Sequence, residues 1–269
     1  MKTKALASAV ALLLTSSLAL ADDGFTFGVG VNHSSGDYGS DVTTEITTVP
    51  VTGRFDSGNW SFRASLPWTR ISGDPNVLPG TGPVLNLNPI GRGRIGPPPG
   101  GNTGDFGTAT GSASGVGDLS LRAVYSVPSS GPVYIDVSAI AKIATADEDK
   151  GLGTGANDYG VALDLYRAFG GTTVFGGVSY LVLGESAFID ADDVFGFNLG
   201  ASWKAGRGQL GLAYDFRESA SSTFDDRSEI TAFLTLPGAT GNTFQIYALA
   251  GLGDGSPDYG AGINYGWKF

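Results

Sequence analysis

The chain has no cysteine and only one histidine, which argues against disulfide bonds and against a transition-metal centre. Basic residues are also scarce, since 16 Lys and Arg stand against 26 Asp and Glu. The resulting net charge of −10 repels the phosphate backbone, so nucleic acid is discarded as a partner. After residue 21 there is no apolar run long enough for a membrane helix. The fold must therefore be stabilised without disulfide bonds, and no cofactor is expected.

The first 21 residues have the pattern of a secretory signal peptide. Lys2 and Lys4 give a basic start, residues 5–20 are apolar or small, and Ala19-Leu20-Ala21 is an A-x-A cleavage pattern. Cleavage would remove both lysines and change the net charge from −10 to −12. A transmembrane anchor is the weaker alternative, because the apolar segment is short and ends on small residues. The sequence predicts a cleaved leader at 1–21 and a mature domain at 22–269.

Glycine and aromatic residues are abundant. The chain has 43 glycines and 11% aromatic residues, and that aromatic content is too high for a disordered chain. A glycine-rich, aromatic-rich, cysteine-free and exported chain is typical of a β-barrel.

Apolar and polar residues alternate with a period of two along most of the mature chain. Trp60, Phe62, Ala64, Leu66 and Trp68 form one such row, with Ser61, Arg63 and Ser65 between them. Strict alternation places one set of residues on each face of a sheet. Similar rows, and two less regular segments near 45–55 and 172–184, bring the predicted count to about twelve strands.

The connections between these rows alternate between short and long. Short turns such as Gly170-Gly171 alternate with longer loops at 32–41, 71–115, 146–157, 185–193, 219–227 and 253–258. This arrangement is typical of a transmembrane, antiparallel, up-and-down β-barrel with its long loops outside the cell. A secreted β-sandwich is the alternative. Aromatic residues at both ends of the outward rows, such as Trp60 and Trp68, favour the barrel.

The segment 71–115 is the longest connection and contains twelve glycines and seven prolines. Such a composition cannot sustain a helix or a central strand. Long connections of this kind tend to be functional or disordered. We interpret it as a lid or partial plug of the lumen, with a freely moving external loop as the alternative.

The last strand carries an assembly signal. Tyr265, Trp267 and Phe269 share one face, and Phe269 is the final residue of the sequence. A terminal phenylalanine behind alternating aromatic residues resembles the signal that barrel-assembly machinery reads. We therefore expect that machinery and outer-membrane lipid to be partners of the chain.

Charged residues fall on the face opposite the apolar rows. In a barrel this face points into the lumen, because a charge facing lipid costs a few kcal/mol near the bilayer midplane. The pore-lining candidates are Arg54, Arg63, Asp118, Arg122, Asp136, Lys142, Asp164, Lys204, Asp215, Arg217 and Glu229. Twelve strands enclose a space between a filled eight-stranded interior and a wide sixteen-stranded channel. The sequence favours a narrow lumen, and a lumen filled by internal ion pairs remains the alternative.

Catalytic and cofactor sites are not indicated. The one histidine, His33, is followed by Ser34, but no residue in the pattern orients its imidazole as a catalytic base requires. The run Gly151-x-Gly153-x-Gly155 lacks the spacing of a dinucleotide-binding loop. We expect no catalytic residue and no enzymatic activity.

Two glycine-containing stretches resemble a known family. They are Gly115-Val116-Gly117-Asp118-Leu119-Ser120-Leu121 and Gly151-Leu152-Gly153-Thr154-Gly155, the latter followed by Asp158. Together they resemble the outer-membrane transporter family labelled "MetA-pathway of phenol degradation". The segment Ala144-Thr145-Ala146-Asp147 departs from the family's usual Pro-Thr-Gly-Asp. The resemblance implies an outer-membrane barrel with a transport role.

The expected function is a narrow passive channel for small solutes in the bacterial outer membrane. The family resemblance alone suggests aromatic or hydrophobic compounds as candidate solutes. A structural or surface-interaction barrel with a filled lumen is the alternative. Arg63, Arg122, Asp164 and Asp215 are predicted to lie in strand interiors on the lumen side, where they could form a constriction.

Overall fold

A computed structural model describes residues 23–88, 92, 111–189, 191–238 and 241–269 of the chain. The predicted signal peptide at 1–21 lies outside the described residues. No helix within the described ranges is long and apolar enough to cross a membrane.

The described residues form fifteen strands. In chain order they are β1 (Gly24–Gly36), β2 (Thr44–Ser57), β3 (Trp60–Gly73), β4 (Val77–Leu78), β5 (Gly82–Pro83), β6 (Gly111–Val116), β7 (Leu119–Val127), β8 (Val133–Ile143), β9 (Asp158–Phe169), β10 (Thr172–Val182), β11 (Val194–Ala205), β12 (Gly208–Arg217), β13 (Arg227–Pro237), β14 (Thr243–Gly251) and β15 (Tyr259–Lys268).

All strands except β4 and β5 belong to one antiparallel sheet that closes on itself. Sequential strands are neighbours, and β1 closes the sheet by pairing with β15 from Thr26↔Lys268 to Ser35↔Tyr259. β6 and β7 both pair with β3 and occupy one position in the wall, interrupted at Gly117-Asp118. The wall is therefore a closed barrel of twelve antiparallel strands, which confirms the predicted fold class.

Several strands extend beyond their predicted ends. β1 continues to Gly36 and β13 begins at Arg227, inside the predicted loops 32–41 and 219–227. β3 reaches Gly73 and β6 begins at Gly111, so the predicted loop 71–115 is shorter at both ends. Antiparallel pairing needs only backbone hydrogen bonds, so the ladders run past the apolar rows that mark them in the sequence.

The outer face of the wall is apolar and exposed. Trp60 and Trp68 are 47% and 46% exposed at opposite ends of β3. Trp60 also contacts Tyr125 of β7, with ring centroids 4.9 Å apart. A soluble monomer rarely exposes so large a contiguous apolar surface, whereas lipid requires it. The barrel is therefore built to sit in a membrane.

The two ends of the barrel differ in their connections. The short-turn end carries the turns at 58–59, 128–132, 170–171, 206–207 and 238–242 together with both ends of the wall, at Gly24 and Lys268. The long-loop end carries every longer connection. At that end β4 and β5 pair to form a small hairpin, Val77–Pro83, whose Val77 and Leu78 are fully buried.

Candidate functional site: the barrel interior

The structure places the predicted pore-lining residues at two kinds of position. Asp118 lies at the interruption between β6 and β7, and its side chain holds the loop that follows β8. The other ten have the register of the inner face. Arg63, Asp164, Arg217 and Glu229 are buried there, whereas Lys204 is exposed at the short-turn end.

Three arginines form a row across adjacent strands. Arg54 on β2 is opposite Arg63 on β3, and Arg63 is opposite Arg122 on β7. Carboxylates balance this row: Arg54 Nε lies 2.8 Å from Asp56, and Arg122 Nη2 lies 2.6 Å from Asp164. The second ion pair passes over β8 to reach β9, so it joins strands that are not neighbours.

A second group of charges lies on β12 and β13. Asp215 is opposite Glu229, and Arg217 is opposite Arg227. Arg227 donates both Nε and Nη2 to Glu229. Arg227 is absent from the predicted pore-lining residues because it lies inside the predicted loop 219–227. The parity of Arg227, Glu229 and Thr231 was the signal that could have placed it on the inner face.

One small cavity connects the two charged groups. It has a volume of about 60 Å³. Arg122 and Asp164 line one side of it, and Asp215 and Arg217 line the other. The structure thus brings three of the four predicted constriction residues to one cavity, while Arg63 lies beside Arg122 in the row described above.

The two glycine-containing stretches singled out in the sequence meet at Lys142. Its Nζ lies 2.7 Å from Asp158 and 3.5 Å from Asp118, and donates to Thr154 Oγ1 at 2.7 Å. A Cβ on Gly153 would lie 2.7 Å from an Asp118 oxygen, which explains the glycine there. The two stretches therefore form a clamp that holds the loop between β8 and β9 against the wall.

The segment between β3 and β6 turns into the barrel mouth. Leu78 and Val84 pack in a buried cluster with Leu181 and Val194 of the wall and with loop residues such as Ile189. Arg92 Nη2 donates to the carbonyls of Asp74 and Val77 at 2.8 and 2.5 Å. Of the predicted lid or plug, residues 89–91 and 93–110 lie outside the described residues. The part that is described narrows the long-loop end.

Aromatic rings also face the interior, which the apolar alternation does not predict. Phe175, Phe233 and Tyr247 each lie opposite a glycine of the next strand: Gly200, Gly211 and Gly262. A Cβ on Gly211 would come within 2.1 Å of the Phe233 ring. Each ring therefore lies along the wall over the space that a glycine leaves. The cross-strand pairing of aromatic residues with glycines was the signal available in the sequence.

Two loop groups have shifted pKa values. Burial raises the pKa of the Tyr38 hydroxyl, which contacts Ser34 Oγ at 3.1 Å. The hydrogen bond from Lys150 lowers the pKa of Asp147.

His33 faces outward, and its Nδ1 contacts Thr47 Oγ1 at 3.0 Å.

The fold is similar to solved outer-membrane barrels. A COG4313 outer membrane channel from Pseudomonas putida F1 matches with a TM-score of 0.68 and 13% identity, covering 95% of this chain and 98% of that chain. The beta domain of the Bordetella autotransporter BrkA matches with a TM-score of 0.55 and 13% identity, covering 92% of this chain and 100% of that domain. KdgM porin matches with a TM-score of 0.51 and 7% identity, covering 90% of this chain and 99% of the porin.

No protein-family model and no curated protein matches the sequence. The structural similarities, at such low identities, establish the fold. Together with the exposed apolar wall, they define the chain as a β-barrel of the outer-membrane type.

Proposed function

We propose that the chain is a narrow passive channel for small solutes in the bacterial outer membrane. The observation that carries this proposal is the polar cavity between Arg122–Asp164 and Asp215–Arg217 inside an apolar wall. A barrel that served only as a membrane anchor would gain nothing from space between buried charges, because such charges are costly unless paired. Outer-membrane barrels have their short turns on the periplasmic side, so the short-turn end of this barrel would face the periplasm and the long-loop end would face outward.

The interior supports passage of small solutes only. The cavity of about 60 Å³ admits a few water-sized groups. The hairpin Val77–Pro83 and the loop clamped by Lys142 narrow the long-loop end further. Positive and negative side chains that lie close together create a local electric field without strong selectivity for ions of one sign.

Two further features support the proposal. The COG4313 neighbour is described as an outer membrane channel. The resemblance to the "MetA-pathway of phenol degradation" family adds aromatic or hydrophobic compounds as a solute class, and the interior rings of Phe175, Phe233 and Tyr247 offer surface for them. No step of this function requires catalysis, so we propose that the chain is not an enzyme.

Planar-bilayer recording of the purified protein tests the function. We expect discrete conductance steps in potassium chloride, and a larger conductance when the hairpin is detached by Leu78→Ser. A wild type and a detached variant that both lack conductance, together with absence of solute uptake into liposomes, would favour the alternative of a structural barrel with a filled lumen.

A further inference from the structure

Arg217 is a buried arginine without a dedicated partner. It is only 8% exposed, and its Nε has no hydrogen-bond partner. None of the ion pairs found among the described residues includes Arg217, although Arg227 beside it binds Glu229 and Arg122 across the cavity binds Asp164. A buried guanidinium is stable only where its charge and donors are satisfied. Arg217 borders the cavity, so a solute group bound there would supply the acceptor that Nε lacks.

Asp215 is the matching acceptor on the same wall. It lies two residues before Arg217 on β12, so both side chains point inward, about 7 Å apart along the strand. The described residues form no ion pair with Asp215 either. Asn198, opposite Asp215 on β11, lines the same cavity and adds an amide. The site thus offers one cation, one anion and one neutral polar group.

Two glycines keep the space between these groups open. A Cβ on Gly177 would lie 2.3 Å from an Asp164 oxygen and 3.2 Å from the Asn198 amide. A Cβ on Gly196 would lie 3.0 Å from Ser179 Oγ and 3.6 Å from Arg217 Cγ. A larger residue at Gly196 would reduce the cavity that this glycine lines, and one at Gly177 would displace the side chains of Asp164 and Asn198. The border also includes the apolar side chains of Ile140 and Leu181 and the polar Ser179.

We propose that this cavity is a solute subsite for the zwitterionic head group of a small apolar α-amino acid. The carboxylate would bind Arg217, whose guanidinium fork matches it, and the ammonium would bind Asp215. A simple anion would bind Arg217 but be repelled by Asp215. A simple cation would bind Asp215 but be repelled by Arg217. Ile140 and Leu181 offer apolar surface to a short side chain. The inference rests on the proposed channel function and names a solute class for it.

Liposome uptake of L-alanine and of its uncharged isomer lactamide tests the subsite. The two probes have the same atoms and differ in charge separation, and protein-free liposomes give the background for each. We expect wild-type uptake of L-alanine to saturate with concentration and to exceed that of lactamide. Arg217→Gln and Asp215→Asn should each lower L-alanine uptake roughly tenfold or more, because each removes a charge-assisted contact.

Arg207→Gln is the matched control, because Arg207 is exposed in the turn between β11 and β12. It should leave the uptake of both probes unchanged. Lactamide uptake should fall much less than L-alanine uptake in the two subsite variants, since lactamide makes neither charge-assisted contact.

The outcomes separate the subsite from the channel. If the wild type conducts ions but takes up L-alanine no faster than lactamide, the subsite is wrong and the channel stands. The subsite is equally wrong if folded Arg217→Gln and Asp215→Asn variants take up L-alanine normally. If the wild type shows neither conductance nor uptake of either probe, the channel and the subsite both fail. The wild-type comparison of the two probes is decisive even if a variant does not fold.

Discussion

At the scale of single residues, the interior depends on which charged side chain meets which. Arg122 and Asp164 lie on strands separated by β8, yet their atoms are 2.6 Å apart. Removing one partner of a buried pair leaves the other charge uncompensated, and this costs about 3 kcal/mol. The pair therefore keeps both charges compensated inside the wall, and it contributes to the local field in the cavity.

Arg122→Ala should raise the conductance and shift ion preference towards cations. The substitution removes a large side chain from the cavity border and leaves the Asp164 carboxylate without its partner. Reversal potentials in a potassium chloride gradient measure the shift, and urea unfolding in micelles measures the loss of stability. Arg207→Ala, in an exposed turn, is the control that changes net charge equally. Unchanged ion selectivity in a folded Arg122→Ala protein would show that the Arg122–Asp164 pair lies outside the conduction path.

The interior rings depend on single glycines. Gly211→Ala would place a Cβ 2.1 Å from the Phe233 ring and force that ring off the wall. Overpacking of this kind costs about 1–3 kcal/mol. We expect lower conductance and a lower urea midpoint than for the wild type. Gly171→Ala is the control, because the nearest heavy atom to its added Cβ is 4.0 Å away. An unaltered conductance in Gly211→Ala would show that the Phe233 ring lies outside the path.

At the scale of elements, the hairpin Val77–Pro83 narrows the long-loop end of the barrel. Leu78 of the hairpin and Val84, which follows it, make apolar contacts with the wall, and Gly82 lies against the Arg227 side chain. A two-stranded hairpin has little stability of its own, so its position depends on this packing. Weakening the packing should release the hairpin without affecting the ladders of the wall.

Leu78→Ser should detach the hairpin and increase conductance. Leu78 is fully buried, and loss of a buried leucine side chain costs about 2–5 kcal/mol. Leu87→Ser is the matched control, since Leu87 lies on the same segment but is 52% exposed. Single-channel recordings should show larger or longer openings in Leu78→Ser only. Equal behaviour of the two variants would mean that the hairpin does not limit the passage.

At the scale of the whole molecule, closure joins the two ends of the wall. β15 pairs with β1 over its full length, and Phe269 N donates to Phe25 O at 2.8 Å. The rings of Phe25 and Phe269 lie 6.4 Å apart on the outer face. This pairing leaves neither β1 nor β15 with a free edge in the wall, which is a requirement for a sheet in lipid.

Phe269→Ala should impair assembly more than stability. The row Tyr265, Trp267 and Phe269 is proposed as the signal for the barrel-assembly machinery, whereas Phe269 is 78% exposed and contributes little packing. Outer-membrane yield in cells should fall severalfold. Spontaneous folding into detergent micelles should match that of the wild type. Leu252→Ala, at a 61% exposed loop position, is the control. A normal yield of Phe269→Ala would mean that Phe269 is not read as a signal.

The sequence predicted the strands and their faces well because these features are local. Alternation with a period of two follows from the geometry of an extended backbone, so Trp60, Phe62 and Arg63 could be assigned to faces without knowledge of their neighbours. Strand ends were less predictable, as Arg227 shows, because polar residues beyond the membrane continue a ladder without an apolar signal.

The sequence by itself determined a closed barrel of about twelve strands with an apolar outside and a charged inside. Only the tertiary structure decided which charges meet, because the stagger between strands sets the height of each residue and is not encoded by alternation. The ion pair of Arg122 with Asp164, the meeting of both glycine stretches at Lys142 and the unpaired Arg217 all depend on that stagger. The inward fold of Val77–Pro83 likewise depends on apolar contacts with strands more than a hundred residues away in the sequence.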